Sequence, residues 1–390
     1  MLLLILILNI YFLVTDGRVG LTSALIGPKL YVMGGTEGKY VYASLLYYDF
    51  TVLFDNFAKH ATPIPVYSIW GTASIGGPDR TKIFLIGGIM ADTKSGNLSN
   101  TLVYSYDTIN GNWTAPEISG NQPLRRREAS STFNPDNGWI YIFGGATTKS
   151  TGFNSTIFYN DFIILDSIGL SWININSSGD APSRRASHTA TLIENGIIVF
   201  IGGYDLVDNT TFRIVDINQI LMYDTKLGKW EYQFAVGDNV DPRYGHTSVL
   251  APDGNIIVYG GKKIGDLIGL RAKPDLVVLK VTTIPFQWFA PSIPTENAPP
   301  PLTYHIAAII ENCMVISYGN ITSDFSEPIG SNSEVYLFDT NSYKWIKEYM
   351  PHSASTIIRS IQIIGIIMYI VAAVGLLVSS FLKFKKYKTQ

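Results

Sequence analysis

Along most of the chain a polar entry gives way to a short stretch of alternating apolar residues, and then to a continuous apolar, β-branched run that stops at two glycines. KLYVMGG ends at Gly34-Gly35, KIFLIGG at Gly87-Gly88, WIYIFGG at Gly144-Gly145, IIVFIGG at Gly202-Gly203 and NIIVYGG at Gly260-Gly261; a sixth copy, CMVISYGN, reads to Asn320. Counted on the last residue of each, the period runs from 53 to 59 residues. Runs this short, alternating or wholly apolar and bounded by glycine, predict buried strands rather than amphipathic helices.

A second marker keeps the same beat. Trp113, Trp172, Trp230, Trp288 and Trp345 are spaced by 57 to 59 residues, and four of them follow an aspartate by six positions: Asp107, Asp166, Asp224 and Asp339 each close an apolar or aromatic run. The first repeat has Asp49 but Phe54 near the Trp position, and the fifth has VVLKV where the aspartate belongs. A third marker opens each unit with Arg or His before small residues, as in RRREASSTF, RRASHTATL, RYGHTSVL and LTYHIAAII. Each unit therefore predicts four strands, here a to d: opening strand, Gly-Gly strand, Asp-terminated strand and Trp strand. Four-stranded units repeated radially protect their sheet edges by forming a propeller.

These three markers in this order resemble the kelch repeat, and the resemblance covers about 330 of 390 residues. It implies an all-β, six-bladed kelch-type β-propeller over residues 18–350, each blade made from one unit and blade 6 packing on blade 1. WD40 propellers fit less well, because their period is about 40 to 45 residues. The glycines suit backbone that leaves the sheet with positive φ or under close approach, and the tryptophans suit packing between blades.

Two apolar segments break the pattern at the ends. Residues 1–17 carry a thirteen-residue apolar run, Leu2 to Val14, too short to cross a bilayer core of about 30 Å but suited to a signal peptide. Residues 360–382, after a linker at 351–359, form an uncharged run long enough to span as a helix. Arg359 stands alone before it, whereas Lys383, Lys385, Lys386 and Lys388 crowd the tail at 383–390, which places the tail in the cytosol. The expectation is a single-pass type I membrane protein of the secretory pathway, at the endoplasmic reticulum or the cell surface. Lys386 and Lys388 also resemble a retrieval signal for the endoplasmic reticulum, though a stop-transfer cluster is the preferred reading.

Composition then narrows function. The only cysteine, Cys313, rules out an internal disulfide. Setting aside Arg359 and the four tail lysines leaves 24 basic residues against 31 acidic, so nucleic acid is not an expected partner. Sequons start at Asn97, Asn112, Asn154, Asn176, Asn209 and Asn320, which are glycosylation candidates.

The b-c loops are long and the c-d turns short, so the face formed by b-c loops and d-a connections is the expected partner surface, for a protein or a glycan. Arg125, Arg126, Arg127, Arg184, Arg185, Arg243, His188, His246 and His305 open the a strands on that face and suggest a polar funnel; the competing reading is hydrogen bonding between blades. No metal is expected at the three histidines, which sit on different blades, and Asp205 with Asp208 and Asn209 read as solvated turn chemistry rather than a calcium loop. Galactose oxidase, a copper-radical carbohydrate oxidase with similar repeats, gives the enzyme alternative, but it implies a Tyr cross-linked to Cys, and Cys313 reads as a buried core residue. No catalytic residue and no cofactor is carried over.

Overall fold

The computed structural model describes residues 17–51, 58–175, 177–207, 211–264, 268–325 and 329–351. The apolar segments expected to be a signal peptide and a membrane helix, the basic tail, Phe54, Asn176 and Asn209 lie outside these residues, Gly17 excepted. Among the described residues no helix is long and apolar enough to cross a membrane.

The chain divides into two compact units, one of Met1–Asp49 with Asn56–Lys347, the other of Phe50–Asp55 with Glu348–Gln390. In the second, the rings of Phe50 and Tyr349 meet edge to face at 5.6 Å. Among the described residues every strand lies in the first, whose main sheets are six, each with an antiparallel a-b-c-d order, beside smaller two- and three-stranded ones. Blade 1 comprises Val19–Ile26, Lys29–Glu37, Leu45–Asp49 and Lys59–His60; blade 2 comprises Thr72–Gly76, Lys82–Ile86, Val103–Asp107 and Asn112–Thr114. Blade 3 comprises Ser130–Asn134, Trp139–Phe143, Phe162–Asp166 and Ser171–Ile173; blade 4 comprises Thr189–Leu192, Ile197–Ile201, Gln219–Asp224 and Lys229–Phe234. Blade 5 comprises Thr247–Leu250, Ile256–Tyr259, Leu276–Lys280 and Gln287–Phe289; blade 6 comprises Ile306–Ile310, Cys313–Ser317, Val335–Asp339 and Lys344–Ile346. The a strands of successive blades touch in cyclic order, and that of blade 6 touches that of blade 1, so the unit is a closed ring with the a strands innermost.

The middles of the b strands are apolar because they are buried on both faces between neighbouring blades. Trp230 of blade 4 shows how a junction fills: its ring lies 5.2 Å from Phe143 and 5.1 Å from Phe162 of blade 3. Aromatic anchors of this size bury large area with few rotatable bonds.

The glycine pairs hold the junctions together. At the first glycine of each pair, φ lies between +61° and +67°. A Cβ built on Gly34, Gly87, Gly144, Gly202 or Gly260 would stand 2.1 to 2.9 Å from a carbonyl oxygen of the next blade. The second glycine donates its N–H to that same strip of chain: Gly88 to Arg126 at 2.6 Å, Gly145 to Arg185 and Gly203 to Arg243 at 2.9 Å, and Gly261 to Leu302 at 2.8 Å. Blade 6 shifts the expected register by one. Its pair is Tyr318 (φ +63°) and Gly319 (φ +89°), not a motif ending at Asn320, and Gly319 closes the ring by donating to Arg18 at 2.9 Å.

The repeated aspartates make the c-d turns. Asp107, Asp166 and Asp224 each accept backbone N–H bonds from residues two and three further on, and Asp339 accepts one from Asn341. The hydroxyl that follows reaches across to an a-b turn carbonyl: Thr108 to Thr81, Ser167 to Gly138, Thr225 to Gly196 and Thr340 to Asn312. On the outer edge, Ser178–Gly179 and Val236–Gly237 run parallel to the d strands of blades 4 and 5 as fifth strands that cover exposed edges.

Candidate functional site

The arginines that open the a strands divide into two sets. Arg125 donates to the carbonyls of Ser99 and Thr101 at 2.8 and 2.6 Å. Arg126 reaches the Gly144 carbonyl at 3.4 Å, forks onto Asp161 and lies 3.9 Å over the Tyr159 ring. Arg243, fully buried, donates to the carbonyls of Asp241, Gly260 and Pro274 at 3.2, 2.9 and 2.9 Å. Arg185, also fully buried, donates to the Ser183 hydroxyl at 2.7 Å. Burial pushes the pKa of Arg185 and Arg243 down to about 10, which leaves both charged at neutral pH. These four cations lie inside the wall and not in the lumen, and two of them, Arg126 and Arg243, hold the carbonyl of a first glycine. Arg127 and Arg184 are more open; the first stands 3.3 Å from Glu128 and the second 3.9 Å from Asp205, which also pairs with Arg213 at 3.2 Å.

The three histidines link neighbouring blades. His188 Nε2 meets the Ser130 hydroxyl at 2.6 Å, His246 Nε2 the Thr189 hydroxyl at 3.2 Å, and His305 Nε2 the Thr247 hydroxyl at 2.7 Å. Their Cε1 edges occupy the space that a Cβ on Gly144, Gly202 or Gly260 would need. Burial holds His188 and His246 well below the ordinary imidazole range and pushes His305 down to about 3, so all three are neutral at physiological pH. Among the described residues no group of three or more His, Cys, Asp or Glu is placed to hold a metal.

What the ring does present at its lumen is a set that sequence reasoning missed. One residue per blade adopts left-handed backbone at the same register: Gly20 (φ +67°), Trp70 (+59°), Glu128 (+59°), Ser187 (+51°), Gly245 (+64°) and Tyr304 (+54°). A hydrogen-bonded chain runs around the channel mouth from Trp70 N–H to Gly20, Glu128 to Trp70, Ser187 to Glu128, Gly245 to Ser187 and Tyr304 to Gly245, at 2.7 to 3.0 Å. Left-handed geometry costs a non-glycine residue about 1–2 kcal/mol, so four positions carry strain that the ring of bonds maintains. Each stands two residues after the position that is Arg18, Arg126, Arg185 or Arg243 in four blades, the one sequence signal that could have found it.

These residues, together with the expected His188, His246 and His305, line a cavity of about 150 Å³. Trp70 and Tyr304 meet edge to face at 4.7 Å. Glu128 accepts from the Tyr204 hydroxyl at 2.8 Å and from Ser187, beside the Arg127 guanidinium. Burial, with Glu128 nearby, pushes the phenols of Tyr204 and Tyr304 well up. Tyr204 and Tyr244 pack at 5.0 Å, and the Lys262 ammonium lies 5.5 and 5.2 Å over Tyr244 and Tyr304. The mouth is thus an aromatic cup with one carboxylate fixed at its edge.

Around it rise the long b-c loops, now seen as hairpins: Ala146–Thr147 with Ile157–Phe158, Tyr204–Val207 with Thr211–Ile214, Lys262–Ile264 with Ile268–Arg271, and Asn320–Ile321 with Gly330–Ser331. They expose Tyr40, Ile157, Phe212, Phe325 and Ile329 to solvent, Phe325 by 85%. Of the sequons, Asn97, Asn112 and Asn154 are exposed and Asn320 is half-buried. Cys313 opens the b strand of blade 6, where burial pushes its thiol up to about 12.

The profile of the Attractin/LZTR1 beta-propeller family matches residues 13–263, and that of the KLHDC2/KLHL20/DRC7 Kelch-repeats domain matches residues 202–373. Among curated proteins the chain is 31% identical over 125 residues to the Rho GTPase-activating protein gacHH of Dictyostelium discoideum, covering 32% of this chain and 8% of that one. It is 26% identical over 287 residues to the Multiple epidermal growth factor-like domains protein 8 of Mus musculus, covering 71% and 9%. Kelch domain-containing protein 1 of Mus musculus is 29% identical over 164 residues, covering 41% and 36%. The matches thus span a small part of the first two relatives and about a third of the last.

Proposed function

Because the chain belongs to the Attractin/LZTR1 β-propeller family and is built of kelch repeats, we propose that it is a non-enzymatic module that grips a protein partner on its b-c and d-a loop face. Kelch propellers are typically protein-interaction modules. The observation that carries the reading is the ring of left-handed residues, which holds Trp70, Glu128, Ser187 and Tyr304 at the mouth at a cost in backbone energy. Exposed apolar side chains on the hairpins around that mouth supply area for a protein interface, and a large aromatic beside a fixed polar group is the usual make-up of an interface anchor. A glycan is the lesser reading, supported by the aromatic cup alone.

The reading extends to location. An uncharged run at 360–382 followed by four lysines supports a membrane tether with residues 383–390 in the cytosol and the ring on the lumenal or outer side, at the endoplasmic reticulum or plasma membrane.

One experiment tests both parts. The full chain carries a photo-reactive phenylalanine derivative in place of Trp70 and is irradiated in sealed microsomes. The expected result is a protein adduct that resists added protease, stays with alkali-washed membranes and disappears when Tyr304→Ala is added. The same adduct from a probe at Ile109 on a c-d turn rejects the loop face, and digestion of the adduct in sealed vesicles rejects the topology.

A further inference from the structure

The opposite end of the channel carries features that a partner on the loop face leaves unused. The fifth residue after each left-handed position is apolar and only half-buried: Leu25, Ile75, Phe133, Leu192, Leu250 and Ile309. They recur at one level near the a-b turns, and four of them line a depression of about 500 Å³. Ile75, Phe133, Leu192, Leu250 and Ile309 also pack against the cores between blades, and the parts of them that remain exposed would gain free energy when covered.

The turns just beyond set a carboxylate at each of five successive blades: Asp79, Asp136, Glu194, Asp253 and Glu311, all exposed. Turn formation explains only some of them. Asp253 accepts the Asn255 N–H at 3.0 Å, as a turn aspartate does. In blades 3 and 4 that task falls to neighbours: Asn134 accepts the Asp136 N–H at 2.9 Å and Asn195 accepts the Ile197 N–H at 3.2 Å. Asp136 and Glu194 therefore contribute charge that the turns do not need. Arg80, the cation among these turns, is turned onto the Pro135 carbonyl at 2.9 Å.

We propose that this face is a second docking surface, for a protein segment in which an apolar side chain enters the depression while flanking Lys or Arg residues meet the collar of carboxylates. Charge complementarity selects the occupant: an acidic collar repels nucleic acid, anionic headgroups and acidic peptides and attracts a basic segment, while the apolar ring distinguishes a segment with an apolar residue from a merely cationic one. The surface lies at the other end of the channel from Trp70 and Tyr304, so either face can fail its test without the other.

The test uses the purified full chain and a short fluorescein-labelled peptide of alternating lysine and leucine, followed by anisotropy. The wild-type chain is expected to bind it, more weakly as salt rises. Combining Asp136→Asn, Glu194→Gln and Asp253→Asn, substitutions that keep turn hydrogen bonding, is expected to weaken binding by about tenfold or more. Replacing the peptide leucines by serine is expected to weaken it similarly, and replacing its lysines by glutamate to abolish it. Glu117→Gln with Glu296→Gln, two exposed carboxylates away from these turns, serves as the control for loss of negative charge elsewhere and should leave binding unchanged. Unchanged affinity in the collar variant, equal loss in the control, or indifference to the leucines each overturns the proposal. An unchanged melting temperature establishes that the collar variant is folded.

Discussion

Acid should loosen this ring through three histidines, and the size of the effect follows from where they sit. His188, His246 and His305 are neutral inside the blade junctions because burial disfavours their charged form, to about pKa 3 for His305. In the unfolded chain each returns to about 6.5. As pH falls below that value the unfolded chain takes up protons that the folded ring refuses, so stability drops by about 1.4 kcal/mol per histidine per pH unit. The loss continues until the folded pKa is reached. Between about pH 7 and about pH 5.5 the three together remove about 4 kcal/mol, a large part of the roughly 5–15 kcal/mol that holds an ordinary domain folded. Asp107 and Asp241, whose carboxyls are lowered by hydrogen bonds and by Lys263 respectively, act in the same direction but only below about pH 4, outside this window. Urea midpoints measured across the window should therefore fall steeply for the wild type. In the combined His188→Gln, His246→Gln, His305→Gln chain the midpoint should start lower but stay nearly flat. Parallel slopes for the two chains would refute the assignment of the acid response to these imidazoles.

Two further pairs of substitutions separate wall from surface. Gly202→Ala would set a Cβ 2.4 Å from the Arg243 carbonyl, and should cost more than about 2 kcal/mol in chemical denaturation, whereas Gly27→Ala, with φ +54° and nothing within 4 Å, should cost about 1 kcal/mol. Equal costs would mean that the blades are not in close contact at the glycine pairs. Arg243→Ala strips three carbonyls, that of Gly260 fully buried, of their donor and should cost at least about 3 kcal/mol, while Arg184→Ala, at a half-exposed side chain, should stay within about 0.5 kcal/mol. A wild-type melting temperature for Arg243→Ala would return that residue to the list of ligand contacts.

The repeat was legible in the chain because its markers do things few residues can. Only glycine accepts a carbonyl pressed against its α-carbon, as at Gly144 and Gly202, and only a large aromatic fills a junction as Trp230 does between blades 3 and 4. Where another residue takes on the task the signal slips: Tyr318 assumes the left-handed place of a first glycine, and the sixth motif reads one residue late. The site was harder to see for a related reason. Its six members share a backbone conformation and no side-chain chemistry, so Gly20, Trp70, Glu128, Ser187, Gly245 and Tyr304 look unrelated in a row of letters. The arginines beside them share an identity and drew attention, yet Arg185 and Arg243 are fully enclosed, and Arg243 shows why that is tolerated: one guanidinium satisfies three carbonyls at once where turns converge.

Blade 6 and blade 1 meet without exchanging a strand: the Gly319 N–H rests on the Arg18 carbonyl, the Tyr48 and Tyr318 hydroxyls stand 3.3 Å apart, and Leu30, Val32, Val315 and Leu337 are buried. During synthesis the first blade must therefore wait, one oily side bare, until the ribosome has delivered the sixth. A truncated message that omits the last repeat would yield an open stack with two sticky ends, fit for chaperones or for aggregation, and not a slightly smaller version of the same protein.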